Sequence, residues 1–430
     1  MFQTLKNAWK IQELKNKLLF TLLIVLLYRL GANIFVPYVD RTAIVAFSDS
    51  FSGMFDYLDF MAGGALSQAT LFALSVSPYI TASIVVQLLS VAIPKLEQWS
   101  KDGAAGRKKI NLLTRIVTVV LALATSYGYM QLLDANGFLV AGIGWFEKLV
   151  IVACFCAGAS IIMWLAEKIN EKGIGNGISI ILFANIIARG PDLVGNIIDM
   201  ITSPNYHIAV GILLAVVSIA ITLAIVVFVV LVTNSERRIP IQYAKKVVGR
   251  KMYGGQNTNL PIKINMAGVM PIIFASSIVS IPATLAAFLP KSWTWLTWIN
   301  DFLSYDSWIY LVLNLILIIA FSYFYIMISF NPVEVANNIQ SNGGSVRGVR
   351  PGKPTVDFIN KILSRITFIG AIFLCFVAGF PMLINILFGG QFAGLAFGGN
   401  SLLIIVGVAL ETVRELEAQI TMRNYKGFLD

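Results

Sequence analysis

The side chains that most often perform catalysis are scarce in this sequence. It has a single histidine, His207, which leaves little for a histidine-based triad or a zinc site of the usual kind. Its three cysteines, Cys154, Cys156 and Cys375, all lie within apolar runs, where a thiol behaves as a small hydrophobic group. We therefore expect no catalytic residue, no metal site and no disulfide framework.

Nucleotide and proton chemistry are also unsupported. Residues 348–354 carry a Gly-Lys pair that partly matches a phosphate-binding loop, but Pro354 replaces the required Ser or Thr and the leading glycine is missing. No Asp or Glu lies well inside an apolar run, whereas a proton-coupled carrier needs ionisable groups within the membrane. We expect no cofactor and no enzymatic activity.

The composition indicates that membrane helices hold whatever residues are functional. The 430 residues are 57% hydrophobic and only 13% charged, against about 25% charged in an ordinary soluble domain. Uncharged runs of about twenty residues recur, which is the length that a helix needs to cross a bilayer. Ten runs are candidate spans: 18–36, 71–93, 116–133, 149–165, 178–188, 208–232, 266–289, 308–330, 366–388 and 395–410.

The distribution of basic residues predicts the orientation of these spans. The N-terminal segment, alternate loops and the C-terminal tail hold 27 of the 32 lysines and arginines, and the opposite loops hold four. Because cytoplasmic loops are enriched in Lys and Arg, both termini are predicted to be cytoplasmic and the number of spans even. The fifth run is interrupted at Arg189, so it must begin near Gly175 or continue past Leu193 to be long enough.

A short internal repeat links the second and seventh spans. Residues 78–83 and 271–276 share the pattern Pro-x-Ile-x-Ala-Ser. The two copies lie five spans apart, so they enter the membrane from opposite sides, as in the inverted repeats of many transport folds. The alternative is a chance likeness between two small-residue helix contacts.

Three loops have unusual composition. The outer loop 51–67 contains a short amphipathic stretch, 54–62, followed by Gly63 and Gly64, which fits a re-entrant half-helix or a surface helix at the headgroups. The inner loop 233–265 carries more basic residues than orientation requires, which favours a docking surface. The inner loop 331–365 combines turn residues with arginines, which predicts an ordered, projecting tip or else a solvated connection.

Six separate motifs, spread over nearly the whole chain, are more specific. They are Gly-Gly-Ala-Leu-Ser at 63–67, the helix at 78–89, Gly-Ile-Gly-Asn-Gly-Ile-Ser at 173–179, Asn-Met-Ala-Gly-Val at 265–269, Phe-Asn-Pro at 330–332 and Gly-Val-Arg-Pro-Gly at 348–352. Together they resemble the SecY/Sec61-alpha family, the channel-forming subunits of the Sec protein translocon.

The resemblance implies an all-α polytopic membrane protein with ten transmembrane helices in two inverted five-helix halves, residues 1–200 and 201–430, around a central pore. It implies a protein-conducting channel in the bacterial plasma membrane, which translocates unfolded preproteins and releases transmembrane segments laterally into lipid. The implied partners are the SecE and SecG subunits, the SecA ATPase, the ribosome, preproteins with signal sequences and membrane lipid.

The family's functional residues carry over by motif. The pore ring falls on Val76, Ile80, Ile178, Leu182, Ile273 and Ile404; Val76 and Leu182 depart from the isoleucine common there. The lateral gate falls on Thr81, Ile84, Ser277 and Ile281. A plug within about 52–67 includes Met54, Phe55, Tyr57, Leu58, Phe60 and Met61. The surface for the motor or ribosome comprises Arg237, Arg238, Lys245, Lys246, Arg250, Lys251, Arg347 and Arg350.

Two other classes of protein compete with this interpretation. A secondary transporter also uses inverted repeats, but it should show polar or charged ligands at the midplane, where spans two, five, seven and ten offer mainly Val, Ile, Leu, Ser and Thr. An intramembrane protease lacks a plausible catalytic pair. Isoleucine in a membrane helix usually packs or contacts lipid, so the pore ring depends on the resemblance.

Overall fold

The computed structural model describes residues 6, 8–40, 59, 62–140, 142–202, 208–243, 246–248, 251–253, 257–288, 307–388 and 398–426. Its helices are α1 Gln12–Gly31, α2 Ser77–Ala92, α3 Pro94–Lys101, α4 Gly103–Ala135, α5 Trp145–Lys172, α6 Gly177–Ala188, α7 Gly190–Thr202, α8 Ile208–Asn234, α9 Met270–Phe288, α10 Trp308–Ser329, α11 Pro332–Ser341, α12 Lys353–Phe388 and α13 Gly398–Lys426. Its strands are β1 Glu236–Tyr243, β2 Lys246–Val248, β3 Lys251–Tyr253, β4 Asn257–Lys263 and β5 Gly344–Val346.

Each of the ten predicted apolar runs overlaps one of these helices. By length and apolar character, α4, α5, α8, α10 and α12 can each cross a membrane, and α2 with α3 makes a sixth candidate that is bent by 102°. α6 is a shorter apolar helix, as is the stretch of α9 from Met270 to Val279. A helical, polytopic membrane protein is therefore confirmed, and the count of ten crossings stays a prediction.

The fifth predicted span is completed by two helices. α6 ends at Ala188, and helical structure resumes at Gly190 in α7 after the single residue Arg189. The start of α6 is fixed by Asn176, whose side-chain oxygen accepts hydrogen bonds from the backbone N–H groups of Ile178 (3.1 Å) and Ser179 (3.4 Å). Gly177 lies against the backbone of Ala166, where a Cβ atom would clash with the carbonyl oxygen.

The chain forms two compact units. The first comprises Met1–Val217, Ser276–Tyr310 and Ile404–Asp430, and the second comprises Ser218–Ala275 and Leu311–Leu403. These units differ from the predicted halves, 1–200 and 201–430, because segments of α9 and α13 belong to the first unit. The division into inverted halves stays a prediction.

One core of the first unit lies between α4, α5 and the connection that precedes α2. The rings of Tyr129 and Phe155 pack edge to face with their centroids 5.0 Å apart. The hydroxyl of Tyr129 also donates a 2.6 Å hydrogen bond to the carbonyl of Leu66. Ala65 and Ala69 are buried in the same cluster. The connection from Ala62 to Ser75 is thus packed onto two membrane helices.

A second cluster in the first unit joins distant parts of the chain. Ala8 and Leu14, from the N-terminal segment, pack with Ile174 in the α5–α6 connection and with Leu416 in α13. The backbone N–H of Gly175 donates to a carboxylate oxygen of Glu415 at 2.8 Å. The α5–α6 connection is therefore held between α1 and α13.

The second unit contains small sheets that the all-α prediction did not include. β1 pairs antiparallel with β4 on one side and with β5 on the other, and β2 pairs with β3. Ile239 and Ile241 of β1 face a core formed with α11 and the first turns of α12, which includes Ile339 and Ile359. The two inner loops thus fold together, and a merely solvated connection at 331–365 is excluded.

Candidate pore, gate and docking surface

The repeated Pro-x-Ile-x-Ala-Ser motif takes the same position in two helices. α2 begins at Ser77 and α9 at Met270, so Ile80 and Ile273 are each the fourth residue of their helix. Both isoleucines are buried. Two residues before each helix the backbone is left-handed, with φ of 50° at Ser75 and 63° at Gly268. The likeness therefore extends from sequence to the way the two helices begin.

The six predicted pore-ring residues lie at or near helix starts or within α13. Val76 is the N-cap residue of α2, and its carbonyl accepts a 3.0 Å hydrogen bond from the N–H of Ile80. Ile178 and Leu182 lie one turn apart on α6 and therefore share a face of that helix. Five of the six are buried and Ile178 is half-buried. Whether these side chains line a pore stays a prediction.

The predicted gate residues lie on α2 and α9. Thr81 is half-buried and its hydroxyl donates to the carbonyl of Ser77 at 3.0 Å, so it is satisfied within its own helix. Ile84 is buried, and Ser277 is half-buried. The side chain of Ile281 lies outside the described residues. The role of these residues as a gate stays a prediction.

All six predicted plug residues, from Met54 to Met61, lie outside the described residues. Two neighbours are described: Asp59 and Ala62 are buried and helical. After them the chain turns sharply at Gly63 and Gly64, with φ of 69° and 82°. The glycine pair therefore lies in a sharp backbone turn, in a conformation that favours glycine.

A buried polar cluster beside this turn was not predicted from the sequence. A carboxylate oxygen of Asp59 lies 3.3 Å from Nη2 of Arg189, and the other carboxylate oxygen accepts the backbone N–H of Ser67 at 2.7 Å. Nη2 of Arg29 donates to the carbonyl of Ala184 (2.5 Å) and to Oδ1 of Asn185 (3.3 Å). The signal in the sequence was Arg29, a basic residue inside a span, since charges there are rare and usually paired.

The predicted docking residues in the described region lie on the folded inner loops of the second unit. Arg237 and Arg238 are in β1, where both are exposed, and Nε of Arg238 bonds Glu236 at 2.7 Å. The side chains of Lys246 and Lys251, and all of Lys245 and Arg250, lie outside the described residues.

The tip that carries Arg350 is an ordered turn. Gly348 and Gly352 have φ of 81° and 94°, a conformation that favours glycine. The carbonyl of Arg350 accepts the Thr355 hydroxyl at 2.9 Å, and the N–H of Val349 donates to Val346 at 3.1 Å. The side chains of Arg347 and Arg350 are exposed. The prediction of an ordered tip is confirmed, and its function as a docking site stays a prediction.

Other basic residues on the helices form ion pairs within the chain. Arg115 of α4 forms a bidentate ion pair with Glu167 of α5, with Nε 2.8 Å from Oε1 and Nη2 2.7 Å from Oε2. Lys168 pairs with Glu171 at 2.6 Å. Within the described part of the chain, by contrast, Arg347 and Arg350 form no ion pair. These two arginines therefore remain available to an acidic partner.

The described residues contain no group of histidine, cysteine and acidic side chains able to hold a metal ion. Cys154, Cys156 and Cys375 are free thiols, each half-buried. The arrangement offers apolar helices, a repeated helix start and a basic, folded inner surface. These features define a polytopic helical membrane protein.

Comparison with known proteins identifies the class more closely. The SecY family model matches residues 70–413. Protein translocase subunit SecY of Bacillus subtilis is 42% identical, and that of Streptomyces galbus is 41% identical, each over 100% of both chains. A solved structure described as a protein conducting channel covers 94% of this chain and 92% of its own, with a TM-score of 0.64 at 17% identity.

Two further solved structures have the same fold. One concerns the SecY plug domain, described as stabilising the closed state and maintaining a membrane seal (TM-score 0.62, 17% identity, 94% and 92% coverage). The other is the idle yeast Ssh1 complex bound to the 80S ribosome (TM-score 0.62, 16% identity, 92% and 88% coverage). The fold and the relatives define a protein-conducting channel of the membrane, not an enzyme. The chain belongs to the SecY family.

Proposed function

We propose that this channel is closed by the aliphatic ring of Val76, Ile80, Ile178, Leu182, Ile273 and Ile404, and that the ring yields around an unfolded preprotein. Aliphatic side chains offer no hydrogen bonds to water or ions, so a narrow constriction of them tends to dewet. The same surface binds no particular sequence, which suits a channel with many substrates. The observation that carries the proposal is the equivalent, buried position of Ile80 and Ile273 in two helices that begin alike.

The gate and plug complete this proposal. α2 and α9 would part between Thr81, Ile84, Ser277 and Ile281 to release apolar segments into lipid, and the stretch from Met54 to Met61 would back the closed ring as the plug. The sharp turn at Gly63 and Gly64 supports a chain that reverses direction directly after that stretch.

The proposed orientation places both termini and the inner loops in the bacterial cytoplasm. The uneven division of basic residues supports it, because 27 of 32 fall on one side. The proposed architecture is ten spans in two inverted halves, residues 1–200 and 201–430. The matched starts of α2 and α9 support the repeat.

Two features support the proposed partners: the incomplete phosphate-binding motif and the exposed arginines of the inner loops. Its sequence contains no complete phosphate-binding loop, so the energy for transport comes from outside, from the SecA ATPase or from a translating ribosome. The exposed arginines of β1 and of the 346–355 turn would receive either partner. A structural relative bound to a ribosome supports the ribosome as one of the two. SecE and SecG would accompany the chain in the membrane.

Transport into vesicles tests the proposed function. The purified chain is placed in lipid vesicles with SecE, and SecA, ATP and a preprotein with a signal sequence are added outside. We expect the preprotein to become protected from added protease, and to stay accessible when ATP or the chain is omitted. Vesicles that contain the complex but protect no preprotein would contradict the proposal.

A further inference from the structure

We propose that Arg29, Asp59, Asn185 and Arg189 form an outer latch, which holds the end of the plug segment against α1 and α6 and so stabilises the closed channel. The proposal rests on the proposed function, because it assigns a consequence to a plug. It adds a set of charged positioning residues to the aliphatic ring.

The first part of the latch is an ion pair across a long stretch of sequence. Asp59 precedes the Gly63–Gly64 turn, and Arg189 is the C-cap residue of α6. Their side chains are 4% and 20% exposed, so the pair is largely withdrawn from water. Asp59 is also bound at the backbone, since its carbonyl accepts the N–H of Gly64 at 3.0 Å. A buried charge that loses its partner raises the free energy of the protein, so this ion pair should be either fully formed or fully broken.

The second part of the latch consists of Arg29 and Asn185, which lie against Gly63 on the other side of the turn. A Cβ atom added to Gly63 would lie 3.0 Å from Nη2 of Arg29 and 3.1 Å from Oδ1 of Asn185. Arg29 also donates to the carbonyl of Ala184, close to the C-terminal end of α6. The turn after Asp59 is therefore held between an arginine from α1 and an arginine at the end of α6.

The latch also reaches the start of α2, the proposed gate helix. Nδ2 of Asn185 donates to the hydroxyl of Ser75 at 3.1 Å. Ser75 has a φ of 50°, which is uncommon for a residue other than glycine, and it precedes α2 by two residues. Asn185 thus links the Gly63 turn and Arg29 to Ser75, the residue two positions before α2, so a shift of that turn would reach the start of the proposed gate helix.

The test uses a double-mutant cycle in the full chain with SecE in vesicles. Asp59→Asn keeps the shape and an acceptor for Ser67, and Arg189→Gln removes the opposite charge. Each single variant should raise the resting ion conductance, and the export of a preprotein with a crippled signal sequence, by about tenfold, because the closed state loses the pair. The double variant should be no worse than either single variant, and can be milder, because it removes the pair without leaving one buried charge unpaired. Arg189→Lys should stay close to wild type.

A matched control is the outer pair Asp134–Lys148, whose side chains are 45% and 32% exposed. Asp134→Asn should change neither readout, because exposed pairs contribute little. All variants are normalised to folded channel in the vesicles, so lower accumulation is not read as a closed channel. Wild-type conductance in both single variants, or additive effects in the double variant, would overturn the latch.

Ile273→Asn in the same assay separates failure of the latch from failure of the proposed function. If Ile273→Asn gains export while Asp59→Asn and Arg189→Gln do not, the latch is wrong and the channel proposal stands. If wild-type vesicles protect no preprotein at all, the proposed function itself is wrong, and the latch falls with it.

Discussion

At the scale of single residues, replacing an isoleucine of the aliphatic ring with asparagine should have opposite effects on export, depending on whether that isoleucine packs or lines the pore. An asparagine amide among packed hydrocarbon side chains costs about 1 to 3 kcal/mol, so a packing residue should lose stability and function together. In a closed constriction the same amide wets the seal and weakens the closed state. The sign of the effect therefore distinguishes packing from pore lining, although both kinds of residue are buried.

We expect Ile273→Asn and Ile404→Asn to gain function. Both should export preproteins with defective signal sequences and should leak ions, because a channel that is mostly shut becomes easier to open. The measurement is export of a crippled-signal preprotein in cells. Ile316→Asn is the matched control, since Ile316 is 58% exposed on α10, where it faces lipid if α10 spans the membrane. Loss of export in both ring variants, as in the control, would assign these isoleucines to packing.

Arg350 is predicted to couple the motor or ribosome to the channel. Its guanidinium can form paired hydrogen bonds with carboxylate or phosphate, and a lysine keeps only the charge. Arg350→Lys should therefore slow motor-driven translocation partly, and Arg350→Glu should slow it severely. Both variants should accumulate normally, since the side chain is exposed.

Lys361→Glu provides the comparison for Arg350. Lys361 is also exposed and basic and lies in the same unit, on α12, but outside the proposed docking set. We expect translocation rates close to wild type for Lys361→Glu. Normal rates in Arg350→Glu as well would leave the 346–355 turn without a docking role.

At the scale of elements, apolar runs predicted where helices occur better than where they end. The ninth run began at Ile366, whereas α12 begins at Lys353. The added turns alternate charged residues with Ile359 and Ile362, which pack on the sheet, so they escape a search for uncharged runs. Tertiary packing, rather than hydropathy, extends this helix.

The strands of the inner loops were missed for a related reason. Ile239 and Ile241 alternate with exposed residues, as in a half-buried strand, but the pattern is short and follows two arginines. Besides β4, the strand pairs with residues just over a hundred positions away, since β5 pairs with β1 at Ile241 and Val346. Such pairing leaves little local trace. The Asp59–Arg189 contact was missed for the same reason, because each residue alone looked like a loop charge.

Cross-linking tests the gate helices as elements. In a variant with Cys154, Cys156 and Cys375 replaced by alanine, Thr81→Cys and Ile281→Cys should form a cross-link that blocks translocation, because α2 and α9 can then no longer separate. Reduction should restore transport. Thr81→Cys alone, treated identically, should transport normally. Normal export through a fully cross-linked double variant would refute the gate assignment.

At the scale of the whole molecule, the orientation in the membrane is testable with two equivalent substitutions. Asn259 in β4 and Asn136 after α4 are both exposed, and they fall on opposite sides of the predicted topology. In the cysteine-free variant, Asn259→Cys should react with an impermeant reagent only once the cytoplasmic side is opened. Asn136→Cys should react in intact cells. The reverse pattern would invert the orientation, and labelling of both from one side would contradict the span count.

The cluster around the α5–α6 connection also bears on the order in which the molecule is assembled. Gly175 and Glu415 are separated by 240 residues, and Ala8 and Leu14 share their core with Leu416. A ribosome that has made the first six helices has therefore produced a connection that still lacks Glu415 and Leu416 among its packing partners. The contacts that α13 makes with this connection can form only after α13 has been synthesised, so this part of the first unit completes its packing late in synthesis.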